Sequence, residues 1–526
     1  MLVRALLLVA LLLPAAVRAQ PTTPEAFAFV LLGEGSDGAP VPMVRTVVEG
    51  ATSCPTLRDA SGAALPAMTP RQRPDGGQFD QVMVCEARYP LGVAARVEVA
   101  GRRIDLPPVT LGTPRRIVLL GDSGCRGQAV LKPQACVGDG YDKIWPFGTL
   151  ASAGAQDRPD LIVHVGDYNY RGTPRSMTLP ARATGYDRDM KVNVFDTGDL
   201  DDEDDEPRYP IGPAYWSQNM QGSPIPDNWV DWRNEFFIPA SRLLPMAPWL
   251  LSRGNHELCS RAGPGWFYLL DAASPLLGPG RRQRACPPQT PAGWRPGAWP
   301  KPPALPFEGQ RFPTPVNPPF RLKLGSLNIV AVDSSDAGDS ELYDLARYVD
   351  TYRSVAAMLA QDPTPSWIVT HRPIWGVVKK DKGSPAGNAP YGFINITQQT
   401  AVATVFPAGM PSNVTAVIAG HMHRFQAIGF GSRHPPQLVV GTGGMELSNV
   451  HPVPAPDDPK RPIPVPDFAG TVGYVVGLKD FGAMVVTMGE GGAWTSDLYG
   501  TAGETLATCD SRWPRQGSGR SVCSLR

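Results

Sequence analysis

The chain has 526 residues, 42% of them hydrophobic and 19% charged, with 49 Lys plus Arg against 49 Asp plus Glu and a formal net charge of zero. Hydrophobic cores stop growing near ~250–300 residues, so at least two domains are expected. The composition excludes a disordered chain, and without a basic excess neither nucleic acid nor an anionic membrane surface is the expected partner.

The first 19 residues read as an export signal. Arg4 supplies positive charge, Ala5 to Leu13 form a short apolar run, and Val17-Arg18-Ala19 offers a small-residue cleavage site. The run falls well short of the ~20 apolar residues of a spanning helix, and no longer one follows. A secreted or periplasmic product starting at Gln20 is expected, with no membrane contact after cleavage. From Glu25 to Leu111, short segments such as Phe27–Leu32, Gln81–Cys85 and Ala95–Val99 are apolar or β-branched and separated by turn residues. They predict a small β-sandwich-like domain over 20–112 with no catalytic cluster of its own.

After Pro114 the pattern changes. Ile117–Leu120 and Leu161–Val165 are continuous apolar runs, as strands buried on both faces tend to be, with a helix predicted over Tyr141 to Ala155 between them. The unit recurs as strand Leu327–Val332, helix Glu341–Ala360 and strand Trp367–Thr370, followed by strands Val414–Ala419, Gln437–Val440, Val472–Leu478 and Ala483–Met488. The prediction is an α/β domain over 113–526, with loop insertions near 191–232, 275–319 and 451–467. Within the first insertion, the acidic run Asp199–Glu206 reads as a solvated loop.

Eight cysteines, an even number, fit an oxidising compartment. Near-neighbour pairs Cys54/Cys85, Cys125/Cys136, Cys259/Cys286 and Cys509/Cys523 are the expected disulfides, although spacing alone leaves the connectivity open. The sequons at Asn395 and Asn413 read as chance occurrences.

Chemistry concentrates in five short motifs, each after an apolar run: Gly121-Asp122-Ser123-Gly124, Gly166-Asp167-Tyr168-Asn169-Tyr170, Gly254-Asn255-His256-Glu257, Thr370-His371 and Gly420-His421-Met422-His423. Of seven histidines in the chain, four lie in these motifs. Carboxylates, imidazoles, an amide and a phenol at strand ends are the donor set of a two-metal centre. His164, one strand step before the second motif, reads as a structural histidine. Glu257 reads either as the orienting partner of a neighbouring histidine or as a surface residue.

These motifs resemble those of the calcineurin-like metallophosphoesterases, and within them the purple acid phosphatases. The general pattern opens with Asp-x-His; here Asp122-Ser123-Gly124 lacks that histidine, while Tyr170 stands three residues after Asp167. That paired loss and gain is the signature of the purple acid phosphatase branch. Gly441-Thr442-Gly443-Gly444 is similar to the family's closing turn. The resemblance spans roughly Val118 to Gly444 and implies a four-layer α/β/β/α sandwich. It implies one metal held by Asp122, Asp167, Tyr170 and His423, and a second held by Asp167, Asn255, His371 and His421, with Asp167 bridging. Tyrosinate suits Fe(III), and the second set suits a divalent Zn, Mn or Fe ion. The implied reaction is hydrolysis of a small phosphate monoester by a metal-bound hydroxide, with His256 facing the phosphate as hydrogen-bond donor or leaving-group acid.

One departure stands out. Arg372-Pro373-Ile374-Trp375 follows His371, where members of the family place a further histidine. Leaving-group protonation then falls to His256 alone, or Arg372 binds phosphate instead, and an acid pH optimum is not implied. Two other readings are a phosphodiesterase or nucleotide pyrophosphatase using the same metal pair, and a non-catalytic binding protein on the same fold.

Overall fold

The computed structural model describes residues 25–526 apart from 75–77, 100, 126–133, 135, 137–144, 171–226, 259–260, 287–316, 340–341, 343–344, 380–390, 431–433, 451–459, 461, 467–471 and 513–521. The export signal, the acidic run, most of the three insertions and Cys259 lie outside the described residues.

Two large sheets dominate. The first has 11 strands, in the spatial order Cys523–Leu525, Thr505–Asp510, Trp494–Tyr499, Ala483–Met488, Arg116–Leu120, Leu161–His164, Trp249–Leu251, Ala26–Glu34, Pro40–Glu49, Val82–Arg88 and Thr69–Pro70. The second has eight: Phe320–Leu324, Leu327–Val332, Ser366–Thr370, Val414–Ala419, Gln437–Val440, Phe425–Phe430, Val472–Leu478 and Ile463–Pro466. At the centre of each, neighbouring strands run parallel.

The apolar runs form strands because both of their faces are covered. Side chains alternate along a strand, and here the alternation sorts them into different cores. Ile117 and Leu119 point into the core between the two sheets, where they meet Ile329, Trp367, Val369 and Ile418. Val118 and Leu120 point the other way, into a core with Phe147, Leu150 and Ala151 of helix Phe147–Gln156 and with Trp229 to Leu244. In the second sheet Val330, Ile368 and Val417 turn outward against helices Leu345–Gln361 and Ile396–Val405. The chain is thus a mixed α/β fold with several sheets and few helices.

The N-terminal strands extend this framework. Ala26–Glu34 pairs parallel to Trp249–Leu251, and Pro40–Glu49 and Val82–Arg88 follow antiparallel, so the first sheet runs continuously into the N-terminal region. Strands Thr56–Asp59, Ala95–Val99 and Arg102–Leu106 form a separate three-stranded sheet. It packs over the flank through Leu57, Val97 and Leu106 against Ala28, Val30 and Val44.

Disulfides join Cys54 to Cys85, Cys125 to Cys136 and Cys509 to Cys523. Cys286 is also disulfide-bonded. Among the described residues no helix is long and apolar enough to cross a membrane.

Candidate metal centre

Every expected ligand sits just past the carboxyl end of a parallel strand. Asp122 follows Arg116–Leu120, Asp167 follows Leu161–His164, and Asn255 follows Trp249–Leu251 in the first sheet. In the second, His371 follows Ser366–Thr370, and His421 and His423 follow Val414–Ala419. Parallel strands end together, so residues far apart in sequence converge on one edge. The crossing is tight: a Cβ at Gly254 would collide with Asp167 Oδ1, and one at Gly420 with Asp122 Oδ2.

Four of these residues hold a left-handed backbone: Asp122 (φ 54°), Asp167 (φ 61°), His421 (φ 75°) and His423 (φ 28°). Among the described residues only Arg158 and Asn395 share it outside glycine. Such conformations cost of order ~1–3 kcal/mol each and persist where surrounding structure enforces them, often at functional sites. Here the enforcement is visible. Asp122 N donates to Gly166 O at 2.9 Å, Gly420 N to His371 O at 2.8 Å, and His421 N to both carboxylate oxygens of Asp122 at 2.9 and 3.0 Å.

The donors fall into two sets. In the first, the Tyr170 hydroxyl lies 2.9 Å from Asp122 Oδ1, 3.0 Å from Asp167 Oδ2 and 2.9 Å from His423 Nε2. In the second, Asn255 Oδ1 lies 2.8 Å from His371 Nε2 and 3.0 Å from His421 Nδ1, and His371 Nε2 is 3.3 Å from Asp167 Oδ2. Asp167 Oδ2 is common to both. Asp122, Asp167 and His423, and likewise Asp167, His371 and His421, bring ligand atoms within 4.8 Å of one another, and each trio can hold a cation. Metal–ligand bonds of ~2.1 Å at right angles set neighbouring donors ~3.0 Å apart, close to the spacing found here. A single phenol proton also cannot serve both carboxylate oxygens, Asp122 Oδ1 and Asp167 Oδ2, at once. A cation at the centre of the first set resolves that conflict, so the donors fit the group.

The charges point the same way. Burial, with the adjacent Asp167 carboxylate, pushes Asp122 up to about 7. Burial acts to lower His371, but Asp167 and Asp122 outweigh it and hold the imidazole at about 9. Positive charge is therefore in demand between these carboxylates. Burial and then the Arg372 guanidinium push His421 down to about 4, leaving the neutral ring that metal ligation requires. His371 Nδ1 faces the carbonyl of Val165 at 2.9 Å, which turns Nε2 toward the site.

His256 is half-buried, and its ring centroid lies 4.2 Å from that of Tyr170. Its backbone N–H donates to Asp167 Oδ1 at 3.0 Å. The imidazole thus stands beside the first donor set and is not covered by protein on every side.

Several supporting residues differ from the expectations. Glu257 is fully buried, neither surface-exposed nor paired with a histidine. Its Oε1 accepts from Tyr168 N at 2.8 Å and Asn169 N at 3.3 Å, and its Oε2 from Asp167 N and Gly254 N, both at 3.0 Å. It clamps the second motif onto the third. Glu235, unnoticed in the sequence, joins the first two motifs by accepting from Cys125 N at 3.3 Å and Tyr170 N at 3.1 Å. Arg372 is not presented as a phosphate clamp: it is buried, with Nη1 given to Asp339 and Nε to Ser335 O. His164 is buried, 2.8 Å from Ser123 Oγ and stacked on Tyr168. Asp333 and Asp339 also escaped notice, although Asp333-Ser334-Ser335-Asp336 follows the apolar strand Leu327–Val332 just as the five motifs follow theirs.

No family model matches the chain, and no curated protein matches it. Among solved structures, the chain is similar to a purple acid phosphatase isolated from yellow lupin (Lupinus luteus) seeds, with a TM-score of 0.50 and 12% sequence identity over 92% of this chain and 73% of that one. At that identity the likeness shows a shared fold alone.

Proposed function

We propose that this chain is an exported phosphoesterase that holds two metal ions and hydrolyses small phosphate monoesters. The observation that carries the reading is the position of Asp167 Oδ2, 3.0 Å from the Tyr170 hydroxyl in one donor set and 3.3 Å from His371 Nε2 in the other. In this reading Asp122, Asp167, Tyr170 and His423 hold Fe(III), for which a tyrosinate is a suitable anionic ligand. Asp167, Asn255, His371 and His421 hold a divalent Zn, Mn or Fe ion. When bound, such a pair orients the phosphate oxygens, lowers the pKa of a coordinated water and offsets charge in the transition state.

The chain's own residues supply the rest. Asp167, fixed by Glu257 through its own N–H and by His256 N at Oδ1, keeps Oδ2 between the two sets. His256, beside Tyr170 and partly exposed, protonates the departing alkoxide or donates a hydrogen bond to the phosphate. With Arg372 committed to Asp339, that task falls to His256 alone in this reading. The covered faces of the two sheets support the reading of a four-layer α/β/β/α sandwich over 113–526, with 20–112, whose first strand continues one of those sheets, as a β region of the exported chain after removal of 1–19. The disulfides fit export to an oxidising compartment.

The test is hydrolysis of p-nitrophenyl phosphate against bis(p-nitrophenyl) phosphate, before and after chelation and remetallation with iron and zinc. Monoester turnover that is lost on chelation and restored by metal is expected. Turnover undiminished in metal-stripped protein, or none on either ester with two metals bound, contradicts the proposal.

A further inference from the structure

A buried carboxylate outside the expected ligand set addresses the far edge of one of its imidazoles. Asp339 is 1% exposed and engaged on both oxygens. Oδ1 accepts from Asn395 Nδ2 at 2.9 Å, and Oδ2 accepts from Arg372 Nη1 and stands 2.9 Å from His421 Nε2. Its carbonyl accepts from Ile396 N at 2.9 Å, which anchors the loop to the start of helix Ile396–Val405. Asn395 is therefore no glycosylation site. It is fully buried, holds a left-handed backbone (φ 61°), and accepts from Gln398 N at 2.8 Å while holding Asp339.

The other edge of His421 faces the second donor set, with Nδ1 3.0 Å from Asn255 Oδ1. A neutral imidazole carries one N–H, and two arrangements compete for it. In one, Nδ1–H donates to Asn255 and Nε2 accepts from Arg372 Nη1, 2.9 Å away. In the other, Nε2–H donates to Asp339 and the Nδ1 lone pair faces Asn255 and Asp167. Only the second offers a lone pair to a cation.

We propose that Asp339 is a positioning residue that selects the second arrangement, presenting His421 Nδ1 to the metal, with Arg372 balancing its charge and Asn395 fixing its other oxygen. The inference rests on the two-metal reading above. It goes further by assigning the ring orientation of one ligand to a residue 82 positions away in sequence. A carboxylate behind a ligating histidine fixes its tautomer and raises its basicity, and losing one typically weakens metal binding by ~10- to 100-fold.

Two measurements on the full chain decide it, both with Zn2+ as the probe. The first is zinc stoichiometry and affinity by chelator competition for the wild type and Asp339→Asn, whose neutral amide cannot balance Arg372. One zinc should bind as in the wild type and the other ~10- to 100-fold more weakly. The second needs no variant: nitrogen NMR of the zinc-loaded, histidine-labelled wild type should show His421 with a proton on Nε2 and zinc on Nδ1. Two zinc affinities unchanged in a folded Asp339→Asn protein, or a proton on Nδ1 in the zinc-loaded wild type, overturns the proposal. Wild-type protein that takes up no zinc would instead count against the metal centre itself, before the variant is compared.

Discussion

His371 Nε2 lies 3.3 Å from Asp167 Oδ2, the oxygen that also sits 3.0 Å from the Tyr170 hydroxyl. One atom thus belongs to two donor sets, each of which draws ligands from both sheets. Asp167 and Tyr170 come from the first sheet, His371 from the second, and the core between the sheets fixes their separation. Packing and chemistry are linked at that oxygen.

Tyr170→Phe removes the one hydroxyl shared by Asp122, Asp167 and His423. We expect affinity for the metal in the first set to fall by more than the ~100-fold seen for outer-shell partners. The iron-loaded wild type should show a tyrosinate-to-iron absorption band, and the variant none. Metal titration followed by visible spectroscopy checks both.

His256→Ala should leave both metals in place, because no ring atom of His256 belongs to either set. We expect kcat to fall by ~10²–10⁴-fold on an alkyl phosphate, the range for loss of a general acid. The fall should be much smaller on p-nitrophenyl phosphate, whose leaving group needs no proton. Comparing kcat on the two esters at equal metal content tests the role.

Glu257→Gln replaces an oxygen that accepts two backbone N–H groups with an NH2 that cannot. Each buried donor left unpaired costs about 1–3 kcal/mol, so a loss of two such contributions is expected in urea unfolding. Activity should fall with it, since the clamp fixes Asp167.

A second buried charge network governs the response to acid. Burial works against ionisation of Glu86, but Arg45 and Arg71, both 2.7 Å from its Oε2, hold the carboxyl below its ordinary value of 4.5. A group with a depressed folded value contributes stability that is fully present above the unfolded value and is lost as pH falls below about 4.5 toward the folded one. Unfolding free energy should therefore drop between pH 5 and pH 3, and Glu86→Gln should remove part of that slope. At pH 7 the variant should be ~3–5 kcal/mol less stable, because two buried guanidiniums lose their counter-charge. Urea unfolding across this pH range measures both effects.

Much of this was legible in the sequence for a physical reason. Strands covered on both faces read as unbroken apolar runs, and Ile117–Leu120, Leu327–Val332 and Val414–Ala419 were recognisable on that ground. The polar residue after each run falls at a sheet edge where parallel strands end, so the motifs pointed to a common place. What periodicity cannot reveal is which strand lies beside which. Ala26–Glu34 joins the sheet of Trp249–Leu251, across more than two hundred residues of chain. Its unbroken apolar run from Ala26 to Leu32 was the available hint, since a half-solvated sandwich strand would alternate. The supports were hidden for a related reason. Glu235 acts through backbone N–H groups, Asp339 through the far edge of a ring and Asn395 through Asp339, and the residue types at these three positions are those of an ordinary helix, loop or cap.

The most direct test is anomalous X-ray diffraction from crystals of the metal-loaded protein. The account predicts two peaks ~3.5–4 Å apart, one on each side of Asp167 Oδ2, the first beside Tyr170 and the second beside Asn255. A lone peak, or peaks remote from Asp167, would contradict it.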